Sequence, residues 1–559
     1  MQVNGYKKLD TSSEWVERTL ADMTLDQKIG QLLHPCIQSS ASEEERVEML
    51  AGIEPGGLFL FAGHRKELQE MSTWFQGHSS VPLVISADLE NGPGKVIEDA
   101  TSFPALMSLG ATDDEELAFE MGRAAALEGR SCGIHWSFGP VVDISANPLN
   151  PGTNTRGFGD DPDLIVRLSK ATISGMQENR LCATVKHFPG SGFDDRDAHI
   201  CNTINPLHMD QWFALSGRPF QEAIDWGVWS VMIGHISLPA WDSGDHAHMQ
   251  FSPPATLSRR IVTDLLRERM GFKGVIITDA LDMGGVTSFG LFEEIIPGVI
   301  EAGCDMILFS SLKRDFEILK QSIENGRLTE ARIEESVRRI LSLKEALGLH
   351  EDRSVLPLAE EVSEQFENTS RLIAEKALTL VVDRKNVLPL KLDKGVRVLS
   401  YHIRGDPEIN VNTFDDLLRE RGVDVTHFNE QDIGKLPKAD ELLEYDVVLV
   451  SAVFEPSWGT SRIRPAGNYM RDVWSLITSH HPRLVFVSYG SPYLNYEMPH
   501  LPLVINAYSP DLNTQKAVIR LLTGEIEATG TSPVNLESPY LFKSLEGLRY
   551  PLRGSTRHE

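Results

Sequence analysis

Short runs of apolar residues alternate with amphipathic helical patterns through the first part of this chain of 559 residues. The runs lie at residues 57–61, 82–87, 134–142, 183–185, 230–233, 274–277 and 306–309. Runs that are apolar throughout are typical of strands buried on both faces, and helices between successive runs are typical of a parallel sheet. The pattern predicts an α/β fold, and a TIM-type (β/α)8 barrel accommodates it best over about 300 residues. An open doubly wound sheet is the alternative, but no Gly-x-Gly-x-x-Gly turn follows an early run.

The second part of the chain repeats this rhythm after two further helical patterns, at residues 329–349 and 360–376. Its apolar runs lie at residues 378–382, 396–401, 446–452, 484–488 and 503–507. Strands that alternate with helices in a shorter segment predict a smaller, open α/β domain. We therefore predict a TIM-barrel catalytic domain over 1–350, a helical linker over 351–376 and a C-terminal α/β domain over 377–559.

Charged residues and histidines follow the apolar runs of the first part. They are Asp88, Asp143, Arg156, Lys186, His187, His235 and Asp279. A barrel enzyme builds its active site from the carboxyl ends of its strands, so these side chains are expected at one mouth. Carboxylates, amines and imidazoles without metal-ligand spacing suit a polyhydroxylated substrate, because sugar hydroxyls bind such groups well. The sequence predicts a small carbohydrate substrate, no metal and no cofactor.

A polar loop follows the run at residues 183–185. Pro189, Gly190 and Gly192 interrupt any regular element, and the loop closes with Asp197-Ala-His199. An aspartate two residues before a histidine can bond one ring nitrogen and raise the basicity of the other. This is the chemistry of a general acid/base, although an Asp-x-His pair on a surface loop is more often only solvated.

The charge balance narrows the classes of partner. The chain has 80 acidic and 53 basic residues, a net charge of −27, which argues against nucleic acid or an anionic membrane as the main partner. Its five cysteines show neither Cys-x-x-Cys spacing nor a disulfide framework. The first residues have no apolar signal region, and no stretch is apolar enough to span a bilayer. These features predict a soluble, cytoplasmic protein; they do not predict an oligomeric state.

Several motifs occur together in the order typical of one enzyme family. They are Arg156-Gly-Phe-Gly-Asp-Asp-Pro162, Lys186-His-Phe-Pro-Gly190, Asp197-Ala-His199, Pro253-Pro-Ala-Thr-Leu-Ser258 and Gly271-Phe-Lys-Gly-Val-Ile-Ile-Thr-Asp-Ala-Leu-Asp-Met283. On these residues the chain resembles glycoside hydrolase family 3 over residues 23–349, and within it the β-N-acetylglucosaminidase branch in a two-domain form. The Asp-x-His motif separates this branch from the β-glucosidases and xylosidases of the family, which usually take their acid/base from a glutamate on another domain.

The resemblance implies a role for each matching residue. Asp279 matches the nucleophile that forms a covalent glycosyl-enzyme, and His199 matches the acid/base with Asp197 as its orienting partner. The residues that match sugar-binding positions, or stand in similar motif contexts, are Asp88, Arg156, Lys186, His187, Met283 and His235. The implied activity is that of a retaining exo-β-N-acetylglucosaminidase acting on terminal β-GlcNAc, such as cell-wall-derived GlcNAc–anhydroMurNAc species. Asp282 is expected to cap or orient the following helix.

Two departures from the family pattern leave the substrate open. Ser191 stands where the family usually has a histidine, and Lys95 stands where it usually has an arginine. A phosphorylase that uses the same residues is an alternative, since an imidazole acid/base does not repel an incoming phosphate. A family 3 β-glucosidase or xylosidase is another, with Glu455 as the rival acid. A non-enzymatic sugar-binding protein is disfavoured, because both Asp279 and the complete Asp197–His199 pair are present.

Overall fold

The computed structural model describes residues 9–242, 252–405, 412–456, 459 and 463–536. These residues form two compact units. The first consists of residues 9–102, 118–144 and 166–367, and the second of residues 103–117, 145–165 and 368–536. Within the described ranges, no helix combines the length and the apolarity needed to cross a lipid bilayer.

The strands are short in the first unit and longer in the second. In chain order they are β1 Leu33–His34, β2 Cys36–Ile37, β3 Gly57–Leu60, β4 Val84–Ala87, β5 Trp136–Ser137, β6 Thr184–Phe188, β7 Thr203–Ile204, β8 Ser230–Ile233, β9 Ile236–Ser237, β10 Val275–Thr278, β11 Ile307–Leu308, β12 Thr379–Asp383, β13 Arg397–Arg404, β14 Asp424–Asn429, β15 Val447–Val453, β16 Leu484–Ser488 and β17 Leu503–Asn506.

Helices separate most of these strands, as the sequence pattern predicts. They are α1 Glu14–Asp22, α2 Leu25–Gln31, α3 Glu43–Leu50, α4 Arg65–Gly77, α5 Leu106–Thr112, α6 Glu115–Arg130, α7 Pro162–Gln177, α8 Met209–Ala214, α9 Gly217–Trp226, α10 Pro239–Asp242, α11 Gly284–Thr287, α12 Phe292–Ala302, α13 Leu312–Glu324, α14 Glu330–Ala346, α15 Glu360–Ala377, α16 Asn412–Glu420, α17 Ala439–Leu442, α18 Met470–Thr478, α19 Leu494–Glu497 and α20 Leu512–Leu522. Shorter or wider helical turns lie at Asn154–Arg156, Ala255–Leu257 and Arg260–Arg269.

The described strands of the first unit pair in parallel. One sheet has the order β2-β3-β4-β5, another has the order β10-β8-β6, and β1 pairs with β11. Isolated parallel bridges join Trp136 to Cys182, Val141 to Lys186 and Ile277 to Met306. Because paired parallel strands end on the same side, side chains that follow β6, β8 and β10 lie near one another.

The second unit contains one six-stranded sheet in the order β12-β17-β16-β15-β13-β14. Only the pair β12 and β17 is antiparallel. Alternate residues of β15 enter two separate apolar clusters, since Val447 packs in the cluster of Leu418 and Val518, whereas Val448 packs in that of Leu476. The sheet is therefore covered on both faces, which explains why β15 is apolar throughout.

The predicted α/β fold and C-terminal sheet domain are confirmed. The predicted run 134–142 forms a strand only at Trp136–Ser137. Pro140 lies inside the run, and a proline has no N–H with which to continue a ladder. Strand β14 was not predicted, because this edge strand mixes polar and apolar residues and most of its side chains are half-buried.

Candidate active site

A lysine in one strand lies between two carboxylates that follow another strand. Lys186 belongs to β6, and its side chain is only 3% exposed. Its Nζ lies 3.0 Å from Asp88 Oδ1, just beyond β4, and 2.5 Å from Glu90 Oε1. A buried ammonium needs such partners, since an unpaired buried charge is strongly destabilising. The pairing fixes Lys186 and orients Asp88, which is half-buried.

Asp143 organises the neighbouring histidine. Its carboxylate accepts from the His187 backbone N–H at 3.1–3.2 Å and lies 2.7 Å from His187 Nδ1. It also accepts from the Ser191 backbone N–H at 2.7 Å. Asp143 therefore fixes both the imidazole of His187 and the start of the polar loop, and it determines which nitrogen of that ring carries the proton.

The predicted Asp197–His199 pair is formed. His199 Nδ1 lies 2.7 Å from Asp197 Oδ1, and the same oxygen accepts from the His199 backbone N–H at 2.9 Å. The Asp197 side chain is 3% exposed and the His199 side chain 31% exposed. An Nδ1–H that donates to the carboxylate makes Nε2 the basic nitrogen, on a ring that solvent and ligand can reach.

Backbone hydrogen bonds tie this loop to the segment that follows Asp279. Gly284 N donates to the His199 carbonyl at 2.8 Å, and Gly285 N donates to the Ala198 carbonyl at 3.0 Å. A Cβ at Gly284 would lie 2.3 Å from the Ile200 carbonyl oxygen, so only glycine permits this approach. The histidine loop and the Asp279 segment are therefore held together by main-chain contacts.

The structure favours an ionised carboxylate at Asp279, the residue after β10. Burial alone would raise the pKa of this carboxyl, but the combined influence of His187, His235, Lys186 and a backbone N–H lowers it. The Ala280 N–H adds to this effect by donating to Asp279 Oδ1 at 2.9 Å. The pKa of Asp279 is consequently below its ordinary value, as a carboxylate nucleophile requires.

His235 is fully buried beside these groups, and both of its ring nitrogens bond inside the protein. Nε2 donates to the Ala280 carbonyl at 2.9 Å, and Nδ1 accepts from the Thr256 hydroxyl at 3.0 Å. Burial lowers the pKa of His235, so the ring is neutral. His235 thereby supports the backbone next to Asp279, and Met283, also buried, begins the turn into α11.

Arg156 and Glu455 belong to the second unit. The Arg156 guanidinium donates to the Gly152 carbonyl at 2.8 Å, in the helical turn Asn154–Arg156. Glu455 follows β15, and its neighbours Ser457 and Trp458 lie outside the described residues. The sugar-binding role of Arg156 stays a prediction, as do the roles assigned to the other site residues.

One contributor, Glu90, was not among the side chains predicted to lie at the mouth. Glu90 stands two residues after Asp88, and its ion pair with Lys186, which is far along the chain, could not be predicted from local spacing. Asp143 follows an apolar run, as Asp88 does, and this position is the signal that identifies it as part of the strand-end cluster. Taken together, the site offers an ionised carboxylate, an imidazole with a carboxylate partner and a fixed lysine.

Comparisons with known proteins identify the relatives of this chain. The glycosyl hydrolase family 3 N-terminal domain matches residues 24–343. A β-N-acetylglucosaminidase/β-glucosidase of Cellulomonas fimi is 33% identical over 551 residues, which cover 94% of this chain and 96% of that protein. A solved β-glucoside phosphorylase bound to 2FGlc is similar with a TM-score of 0.87 at 30% identity, covering 95% of this chain and 98% of the other. A β-N-acetylglucosaminidase from Paenibacillus sp. str. FPU-7 gives a TM-score of 0.80 at 27% identity, covering 92% and 99%.

Proposed function

Because the chain belongs to glycosyl hydrolase family 3, we propose that it is a retaining exo-acting β-N-acetylglucosaminidase that removes terminal β-GlcNAc. The observation that carries this proposal is the Asp197–His199 contact of 2.7 Å, on a loop bonded to the segment after Asp279. A nucleophile and a proton donor are the two groups that retaining glycoside hydrolysis needs.

In the first step, a carboxylate oxygen of Asp279 attacks the anomeric carbon as the glycosidic C–O bond breaks. The leaving oxygen takes the proton from His199 Nε2, and the sugar is left as an ester of Asp279. In the second step, His199 removes a proton from water, whose oxygen attacks the anomeric carbon and releases Asp279. Asp197 stabilises the imidazolium that forms between turnovers.

Retaining glycosidases usually have two carboxyl groups about 5–5.5 Å apart. Here an imidazole on a loop replaces one of them, and Asp197 supplies the negative charge behind it. Asp88, Lys186 and His187 are proposed to bind sugar hydroxyls, because their orientations are fixed by Glu90 and Asp143. Arg156 is proposed as a further sugar ligand on the strength of its motif, with Met283 and His235 supporting the Asp279 segment.

We also propose that the strands of the first unit close into a (β/α)8 barrel. The sheet β2-β3-β4-β5 is linked to β6 by bridges at Trp136 and Val141, and β10 is linked towards β11 by the bridge of Ile277 to Met306. The pairing of β1 with β11 supports closure, since β1 and β2 are separated by only one residue.

The proposed setting is the cytoplasm, and the proposed substrates are fragments derived from the cell wall. All five cysteines are free thiols in the structure, which suits a reducing compartment. The predicted domain limits, with a catalytic domain over 1–350 and a linker over 351–376, are retained as part of this proposal.

The proposal is tested by release of p-nitrophenol from the β-GlcNAc, β-glucoside and β-xyloside derivatives. We expect the highest kcat/KM with β-GlcNAc and free GlcNAc as the product. A preference for glucose or xylose that persists in His199→Ala would contradict the proposal and direct the search for an acid to Glu455. An activated 5-fluoro glycoside should label Asp279, and a label on another residue would rule out this nucleophile.

Phosphorolysis is the second candidate, and the likeness to a β-glucoside phosphorylase favours it. A phosphate oxygen would replace water in the second step, so that a sugar 1-phosphate leaves Asp279. An imidazole acid/base carries no negative charge to repel phosphate. The same assay with and without phosphate separates the two reactions: a rate that requires phosphate, with sugar 1-phosphate as product, identifies a phosphorylase.

A further inference from the structure

A second set of histidines and aspartates lies in the second unit, on one face of its sheet. The register of β13 and β14 places Ser400 opposite His427 and His402 opposite Asn429. Residues two apart on a strand share a face, so these four side chains point to the same side. Asp415, on α16, faces them with its carboxylate.

Asp415 lies between the two imidazoles. His427 Nδ1 is 2.7 Å from Asp415 Oδ2, and His402 Nε2 is 3.3 Å from Asp415 Oδ1. Ser400 Oγ donates to the same Oδ1 at 2.6 Å. One ligand-type atom from each of His402, Asp415 and His427 lies within 4.8 Å of the others, a spacing that a single metal ion can bridge.

The surroundings make this an unusual place for a carboxylate. His402 and Asp415 are each 1% exposed, and the residue next to Asp415 on α16, Phe414, is part of the apolar core. In the described part of the chain, the ion pairs of Asp415 are with His402 and His427 and none is with lysine or arginine. With neutral imidazoles the cluster therefore buries one net negative charge, which is costly unless a cation compensates it.

A hydrogen-bond network alone does not satisfy every group in the cluster. His402 Nδ1 is buried and has no hydrogen-bond partner among the described residues. A fully bonded network would leave no such atom, because a buried polar atom without a partner costs roughly 1–3 kcal/mol. His402 Nδ1 lies on the other side of the ring from Nε2, the nitrogen that faces Asp415, so the uncompensated charge of Asp415 is the sign that the cluster lacks a positively charged partner.

We propose that His402, Asp415 and His427 form a structural site for a divalent transition-metal cation of the Zn²⁺ class. Two imidazoles and one carboxylate are a donor set that Zn²⁺ prefers. Ligands about 2.0–2.2 Å from a tetrahedral zinc ion lie a little over 3 Å from each other, so the observed separations of 2.7 and 3.3 Å need only small shifts. The ion would take the place of the protons now shared between the rings and the carboxylate.

The hydrogen-bond partners of the proposed ligands are also compatible with a bound zinc ion. Ser400 donates to Asp415, and Asn429 Nδ2 lies 3.4 Å from His427 Nε2. Metal-binding histidines and carboxylates are commonly held by such partners. If the Asn429 amide turns, its oxygen accepts from Nε2–H while Nδ1 of His427 binds the ion. The His427 side chain is 27% exposed, which gives the cation a route from solvent and allows water as the fourth ligand.

The test uses the full-length protein, dialysed against a chelator and then titrated with Zn²⁺ by calorimetry and with Co²⁺ by visible absorption. We expect one equivalent to bind, with the d–d bands of a four-coordinate Co²⁺ ion and a rise in Tm. His427→Gln and Asp415→Asn should each weaken binding by at least about 10- to 100-fold. Both substitutions conserve size, and a melting curve of each metal-free variant shows whether it is folded.

Two control variants locate the bound ion. His500→Gln removes an exposed histidine of the same unit, and His199→Gln removes the imidazole of the candidate active site. Both should bind Zn²⁺ as the unmodified protein does. The proposal is overturned if the unmodified protein binds no stoichiometric Zn²⁺, if folded His427→Gln binds as tightly as the unmodified protein, or if binding is lost in His199→Gln.

Discussion

Two regions of the molecule bring an aspartate within 2.7 Å of a histidine Nδ1, and their surroundings differ. Asp197 serves one imidazole, on a loop, and that ring is 31% exposed. Asp415 is shared by two imidazoles on regular elements and is itself 1% exposed. The same contact therefore suits proton transfer in the first region, where one carboxylate orients one imidazole, and a fixed charge in the second, where a buried carboxylate lies between two imidazoles.

The largest effect is expected at Asp279, a carboxylate of the candidate active site that has no counterpart in the cluster of His402, Asp415 and His427. Asp279→Asn should lower kcat by roughly 10⁴-fold or more, because an amide cannot attack the anomeric carbon. The measurement is hydrolysis of p-nitrophenyl β-GlcNAc, with Asp282→Asn as a matched control three residues away on an exposed side chain. Equal losses in the two variants would show that the effect is structural rather than chemical.

The second prediction concerns proton transfer by the exposed pair. His199→Ala should lower kcat/KM by roughly 10²- to 10⁴-fold for substrates with poor leaving groups, and much less for activated aryl glycosides, which need little protonation. Asp197→Asn should give the same pattern more weakly, since it leaves the imidazole in place and alters its 2.7 Å contact. A loss that does not depend on the leaving group would mean that His199 only shapes the loop.

A third test makes the same substitution in the two regions. Asp143→Asn removes a charged acceptor from His187 and the Ser191 N–H, so we expect kcat/KM to fall roughly 10- to 100-fold. Asp415→Asn weakens the buried acceptor shared by His402 and His427 and should lower Tm by several degrees. Steady-state kinetics and thermal melts on both proteins provide the comparison. A larger fall in kcat/KM for Asp415→Asn than for Asp143→Asn would contradict the assignment of a catalytic role to the first region and a structural role to the second.

The smallest expected effect comes from the close backbone approach beside the exposed pair. Gly284→Ala places a Cβ against the Ile200 carbonyl, so the His199 loop must shift, and we expect about a tenfold fall in kcat with poor leaving groups. Gly77→Ala is the control, because no atom outside its own helix lies within 4 Å of a Cβ there. Unchanged kinetics in Gly284→Ala would show that the loop tolerates displacement.

The sequence predicted the candidate active site far better than the cluster of His402, Asp415 and His427. The Asp197–His199 pair is local, and two residues of spacing suffice to predict the contact. Asp279 and Lys186 follow apolar runs, and the parallel pairing of β6, β8 and β10 brings them together. Local spacing and strand order were therefore sufficient to predict most residues of the candidate site.

The cluster of His402, Asp415 and His427 could not be predicted in this way. Its members come from a strand, a helix and an edge strand, and only the register of β13 with β14 places them on one face. The edge strand itself escaped prediction because its sequence has no continuous apolar run. Glu90 was not predicted as a site residue for a related reason, since its partner Lys186 is distant in sequence.

The main-chain bonds from Gly284 and Gly285 to the histidine loop have a consequence for protein engineering. Within the loop, the Asp194 carboxylate also accepts from the Ile204 N–H at 2.9 Å, so residues 194–204 form a braced piece. An experimenter who exchanges this loop between relatives, to alter the preferred leaving group, must transfer residues 279–285 with it. A graft of the loop alone would carry a proton donor whose anchor points belong to another protein.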